Sequence, residues 1–356
     1  MKNLVALALS LLAVGCANYM RVEVEGRVVD EAGRPVPNAE VTTAPWYDVK
    51  DAPKLRTFIR TDKEGRFSAT LPRSMAGRQA VFAVLADETK GGFTAFPGNK
   101  AADLRIVVQP LFPVRAEIDV SQIPAPFRMG PQVYASSAPP RDALIATCAW
   151  NTNPRAVSFR LPAGSYSLTA IGAGKPVSRT FEVTDREVDL GAIELEPYKY
   201  QTLFDREAPA LHIADARGVS KDFKLSDLRG KWVVLFFWNH RMELNRHMLE
   251  SLAGFYSNGE KMRDRFEVLV IHHSDDVLSV RDLDMALWRK DVRLPMPVII
   301  DDGEKTFEAY GLERGPMFRS APTEFLVDPE GKIVSHGFAV LPHLLASLMN
   351  LKLEEK

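Results

Sequence analysis

The chain has 356 residues, a net charge of −1 and 26% charged residues, so it carries no basic footprint for nucleic acid. That length implies two or three domains, each able to bury a core. Its two cysteines, Cys16 and Cys148, exclude an internal disulfide framework.

Residues 1–16 read MKNLVALALSLLAVGC. One lysine and then a mostly apolar run, Leu4 to Val14, form an export signal too short to span a bilayer. The run ends in Ala13-Val14-Gly15-Cys16, which resembles a bacterial lipobox. The resemblance implies cleavage before Cys16 and acylation of that residue, and several acyl chains anchor stably where one would not. The alternative is a soluble secreted protein cut near Gly15 or Ala17. Ala17 after the cysteine resembles outer-membrane sorting in Gram-negative lipoproteins. The expectation is a lipid-anchored protein of the bacterial cell envelope, facing the periplasm, in the outer membrane rather than the inner.

From residue 20 to residue 111 short alternating strands follow one another. Val22, Val24 and Val28 alternate with polar residues, Asp30-Glu31-Ala32-Gly33 makes a turn, and the pattern resumes from Val36 to Val41. A second turn, Asp62-Lys63-Glu64-Gly65, precedes RFSATLP. This layout resembles the carboxypeptidase regulatory-like (transthyretin-like) β-sandwich, an accessory domain that implies architecture and no catalytic residues. Residues 112–197 read as a second small sandwich, with strands in FPVRAEIDV, AVSFRLPAGSYSLTAIG and RTFEVTDREVDLGAIEL. The turn from Leu161 to Tyr166 resembles one that joins strands in prealbumin-like repeats. Cys148 stands alone among apolar residues and is expected to be a buried small hydrophobe.

Glu196-Pro197-Tyr198-Lys199-Tyr200 marks a boundary, and the third domain covers residues 200–356. Val233 to Trp238 is an apolar run long enough for one fully buried strand. A helix follows, with Leu244, Met248, Leu252 and Phe255 at helical spacing and Asn258-Gly259 as its stop. Next come a strand from Phe266 to His273, a helix from Asp276 to Lys290 and a strand from Val298 to Ile300. A short helix from Lys305 to Tyr310, the hairpin SAPTEFLVDPEGKIVSHGF and a helix from Pro342 to Leu351 complete the chain.

Ala208-Pro209, Leu225-Ser226-Asp227-Leu228 and Gly230-Lys231 resemble the opening strands of redoxins. Lys231 to Leu249 resembles the TlpA-like, membrane-tethered thiol-disulfide oxidoreductases of the thioredoxin superfamily. The implied fold is two N-terminal all-β sandwiches followed by an α/β thioredoxin fold. Those relatives carry F-W-x-x-W-C-x-x-C-x-x-E at the turn between strand and helix. Phe237 and Trp238 match it, but Arg241 replaces the second Trp, and the cysteine positions hold Met242 and Asn245. Pro322 corresponds to the family's cis-proline, which implies a cis peptide between Ala321 and Pro322.

Disulfide exchange needs a thiolate, and neither a thioether nor an amide supplies one. The expectation is therefore a non-catalytic domain with no cofactor. Its groove at Trp238, His240, Arg241 and Pro322 would bind a protein partner or an extended peptide. One alternative is redoxin activity that borrows a partner's thiols. Another is a copper site, because His240, Met242, His247 and Met248 crowd the helix start near His272 and His273. Against it, His240 and His247 would lie about 10 Å apart along a helix axis. His272 and His273 point to opposite faces of their strand, so at most one approaches the turn. His240, Arg241 and Arg246 also set cations against a helix N-terminus, at about 0.3–1 kcal/mol each, with Glu243 offsetting them. Such an end suits an anion or an acidic partner loop; alternatively the arginines reach away into water.

Overall fold

Three turns of one chemistry set the ends of strands. Asp30-Glu31-Ala32-Gly33-Arg34, Asp62-Lys63-Glu64-Gly65-Arg66 and Asp328-Pro329-Glu330-Gly331-Lys332 share Asp at the first position and Gly at the fourth. The three glycines take φ of 78°, 71° and 87°, a region other residues enter at a cost. In each turn the Asp carboxylate accepts the N–H of the fifth residue, at 2.9, 2.8 and 2.7 Å. The backbone closes the same loop: Gly65 N–H donates to Asp62 O and Asp62 N–H to Arg66 O.

Gly65→Ala is expected to destabilise this region by about 1–3 kcal/mol from backbone strain, with a clash in addition. A Cβ at Gly65 would sit 2.5 Å from Val28 O and 3.0 Å from Val36 N. Gly33→Ala carries the same strain but meets nothing nearer than Arg105 Nη2 at 3.5 Å. Thermal denaturation of the two variants should rank Gly65→Ala clearly below Gly33→Ala, and equal losses would contradict this account.

The structure is a computed structural model and describes residues 21–42, 46–47, 58–72, 79–96, 100–128, 132–137, 144–147, 156–239, 243–273, 279–288, 294–312, 323–337 and 340–349. The chain divides into two units, Met1–Pro197 and Tyr198–Lys356.

The N-terminal unit is built of strands. They are β1 (Arg21–Val29), β2 (Glu40–Thr42), β3 (Trp46–Tyr47), β4 (Ile59–Arg60), β5 (Arg66–Pro72), β6 (Gln79–Val84), β7 (Lys90–Phe96) and β8 (Lys100–Val107). Then come β9 (Gln109–Asp119), β10 (Gln132–Ser137), β11 (Leu144–Thr147), β12 (Ala156–Pro162), β13 (Gly164–Ile171), β14 (Val177–Val183) and β15 (Val188–Glu194). They form three sheets, ordered β5-β1-β8, β14-β13-β10-β11-β3 and β12-β9-β7-β6-β2-β4, with β15 also on β9.

The expected division at 111/112 falls inside β9, which runs unbroken from Gln109 to Asp119. The sheet β12-β9-β7-β6-β2-β4 accordingly takes strands from both expected sandwiches, and in the five-stranded sheet β3 pairs with β11 across the same divide. The physical reason lies in β6, whose Ala80 to Val84 are all buried. Val81 and Ala83 enter a core with Val24, Val28 and Ile106, while Ala80 and Phe82 enter another with Val114, Phe159 and Leu168. A strand buried on both faces belongs to neither sandwich alone. At Tyr166 the hydroxyl donates to Pro162 O at 2.8 Å across the Leu161–Tyr166 turn.

The C-terminal unit holds a mixed six-stranded sheet. Its strands are β16 (Ile213–Arg217), β17 (Trp232–Trp238), β18 (Phe266–His272), β19 (Val298–Asp301), β20 (Thr323–Val327) and β21 (Ile333–His336), in the order β16-β19-β18-β17-β20-β21. β17, β18 and β19 run parallel, and β16, β20 and β21 pair antiparallel to their neighbours. The helices are α1 (Glu243–Asn258), α2 (Val280–Trp288), α3 (Lys305–Ala309) and α4 (Val340–Leu348). Each central strand feeds two cores. Val234, Phe236 and Trp238 pack with Leu249, Leu252, Leu283 and Leu344, and Val233, Leu235 and Phe237 with Phe307, Tyr310 and Phe325.

The local chemistry accounts for the helix ends. Ser279 accepts the Asp282 N–H and donates to the Asp282 carboxylate, which caps α2. The Asp301 carboxylate accepts the N–H groups of Thr306 and Phe307, at 2.9 and 3.2 Å, at the start of α3. α1 ends at Asn258, and Gly259 follows because a Cβ there would lie 2.6 Å from Phe266 Cζ.

Candidate functional site

The C-terminal edge of the parallel strands is where open α/β sheets place ligands. Here β17 ends at Trp238, directly beside His272 at the end of β18. On the other side β20 begins with Thr323 opposite Phe237. Residues 239–242 connect β17 to α1, a helix of 16 residues whose N-terminus comes to this edge.

Trp238 is 2% exposed and meets the His272 ring edge-on, at 5.1 Å and 84°. Its Nε1–H is buried and has no acceptor among the described residues. His273 turns to the other face of the sheet, where its ring meets Phe307 at 4.8 Å and its Nε2 lies 3.6 Å from Glu304 Oε2. Glu304 holds a left-handed φ of 73°. The two histidines therefore stand on opposite sides of the sheet and do not converge. Among the described residues, no three of His, Cys, Asp and Glu are placed to hold a metal ion.

Of the remaining residues singled out in sequence, His240, Arg241, Met242, Pro322, Cys16 and Cys148 lie outside the described residues, as does the peptide between Ala321 and Pro322. Asn245 and His247 belong to α1, and their side chains are not among those described. Met248 packs against the core with Leu249 and Leu252.

Sequence reading missed Glu324. It stands opposite Phe236, on the face of β20 that also carries Leu326. It is 5% exposed, no partner holds its carboxyl among the described residues, and burial raises its pKa to about 7. A Thr-Glu-Phe-Leu-Val run places a polar residue where an alternating strand tolerates one, so the letters alone give no sign of its burial. His336, in the next strand, stacks on Tyr200 at 4.5 Å and 15°, and burial lowers its pKa to about 4. Tyr310 donates its hydroxyl to Pro209 O at 2.9 Å, which ties the Ala208-Pro209 segment to the core, and burial raises its pKa.

A parallel strand, a connection and a long helix at one edge, with an antiparallel hairpin beside them, define a thioredoxin-like redoxin domain. Residues 204–336 match the AhpC/TSA family. The thiol-disulfide oxidoreductase ResA of Bacillus subtilis is 28% identical over 128 residues, 36% of this chain and 63% of that protein. ResA of Bacillus thuringiensis is 30% identical over 130 residues, 36% of this chain and 66% of that protein. The chain thus spans a little under two thirds of these relatives' length. Among solved structures, the thioredoxin domain of a thiol-disulfide oxidoreductase from Bacteroides vulgatus is 23% identical, covering 41% of this chain and 96% of that one, with a TM-score of 0.32. The exposed lipoprotein thioredoxin of Streptococcus pneumoniae is 27% identical, covering 40% and 98%, with a TM-score of 0.30. No described helix is long and apolar enough to cross a membrane.

Proposed function

We propose that this chain is a cell-envelope lipoprotein, anchored through Cys16, whose redoxin domain binds a protein or extended peptide instead of exchanging disulfides. One observation carries the reading: residues 198–356 contain no cysteine. The relatives' names describe thiol chemistry, yet Met242 and Asn245 occupy the positions where that chemistry needs thiols. Loss of the thiols would leave the groove that the resemblance implies at Trp238 and Pro322 as a recognition surface for extended chains. The β-rich N-terminal unit, whose first strands and turns resemble a carboxypeptidase regulatory-like sandwich, fits an accessory or scaffolding role in the envelope, in the outer membrane.

The purified protein should reduce insulin disulfides no faster than buffer with dithiothreitol. Wild-type reduction that survives Cys148→Ser would overturn the reading. Anchoring is tested separately: Cys16→Ala should release the chain to the soluble fraction or leave an uncleaved precursor. Unchanged mass and unchanged detergent partitioning would remove the anchor.

A further inference from the structure

On the outward face of the first sheet, the ladder sets Arg66 of β5 opposite Arg27 of β1, and Arg27 beside Arg105 of β8. Three arginines thus share one register position, on strands about 4.8 Å apart. Like charges directly opposite one another destabilise a sheet. Arg66 is compensated, by Asp62 at 2.8 Å and Glu64 at 3.0 Å. Arg27 and Arg105 have no side-chain partner among the described residues.

The row lines a cleft of about 800 Å³ together with Glu25, Asp103 and Asp62, the last of which is paired with Arg66. The backbone is shaped around it. Val24 pairs with Ala101 and Gly26 with Leu104, so β8 carries one extra residue there. Such a bulge re-aims a side chain, and at this one Asp103 takes a left-handed φ of 55°. Gly26 permits the close approach, since a Cβ there would lie 2.1 Å from Leu104 O.

We propose that this cleft binds an acidic saccharide, its oxyanion held between Arg27 and Arg105 and its hydroxyls donating to Glu25 and Asp103. The planar guanidinium fork suits an oxyanion, and two uncommitted forks side by side form a seat for one. The carboxylates of Glu25 and Asp103 oppose a second negative group and accept hydrogen bonds, which selects a hydroxyl-bearing carrier over a dense polyanion. This reading concerns the N-terminal unit and stands apart from the redoxin proposal.

The test uses the whole 356-residue chain with glucuronate, inorganic phosphate and glucose as probes, read by calorimetry and thermal shift. Glucuronate should bind and raise the melting temperature, and glucose should not. Arg27→Gln/Arg105→Gln should weaken glucuronate by at least about tenfold. Arg27→Gln should also raise the melting temperature without ligand, because it relieves the like-charge row. That result separates a binding residue from a structural one and shows that the variant folds. Glucuronate binding that survives the double variant, binding of phosphate alone, or no response to glucuronate would each overturn the proposal.

Discussion

Met242→Cys/Asn245→Cys should reduce insulin where the wild type is expected not to. The expectation rests on the order of elements at the sheet edge. β17 delivers the connection to the edge, and α1 begins at Glu243 with 16 residues behind its N-terminus. A helix of that length carries a positive N-terminal end, position 242 directly precedes it in sequence, and Arg241 and Arg246 add charge of the same sign in sequence. Such surroundings lower a thiol pKa from about 8.5 into the range of roughly 3.5 to 7.5. A cysteine at 242 with a pKa near 7 would be about half thiolate at neutral pH, against about 3% for an unperturbed one, a gain of roughly fifteenfold in attacking species.

The single variant separates the two steps. Met242→Cys alone should attack a disulfide and stop as a mixed disulfide, because Asn245 cannot resolve it. Mass spectrometry of the non-reduced protein would show the trapped adduct. A double variant that forms its disulfide yet reduces nothing would mean that the groove no longer admits a disulfide substrate. Activity in the wild type would refute the premise.

What the letters disclosed depended on whether a pattern could be local. The Asp-x-x-Gly turns were legible at 30–34, 62–66 and 328–332, because turn chemistry needs only neighbours in sequence. The run from Val233 to Trp238 announced a doubly buried strand for the same reason, and the absence of cysteine from residues 198–356 was plain from the alphabet. The two-faced role of β6 was not legible. QAVFAV reads as apolar, but which core each residue enters depends on partners far away in the chain. The arginine row escaped as well, since Arg27, Arg66 and Arg105 become neighbours only when register is known. The position 111/112 lies within β9, and strand alternation, which is the same on both sides of a shared sheet, gave no sign of that continuity. At the candidate site, the motif marked Trp238 as the end of its strand, while Glu324 needed the fold to reveal its burial.

Glu324 and His336 should nearly cancel in the pH dependence of the redoxin domain's stability, and removing either should expose the other. Burial raises Glu324 from 4.5 to about 7, so the folded state holds a proton that the unfolded chain releases above pH 4.5. Its contribution is full below that pH and is lost as pH rises through 7. Burial lowers His336 from 6.5 to about 4, so the unfolded chain binds a proton that the folded state refuses. That contribution is full above pH 6.5 and is lost as pH falls through 4. Each shift corresponds to about 3 kcal/mol. Between about pH 4.5 and 6.5 the two slopes oppose each other, and wild type should vary by less than about 1 kcal/mol from this pair. Glu324→Gln removes the falling slope, so its stability should climb by about 3 kcal/mol from pH 4 to 7. His336→Phe keeps an aromatic ring against Tyr200 and removes the rising slope, so its stability should drop by a similar amount from pH 4.5 to 7. Urea denaturation of the three proteins across that range reads the slopes directly. Profiles that stay parallel to wild type in both variants would show that neither group titrates as its burial requires.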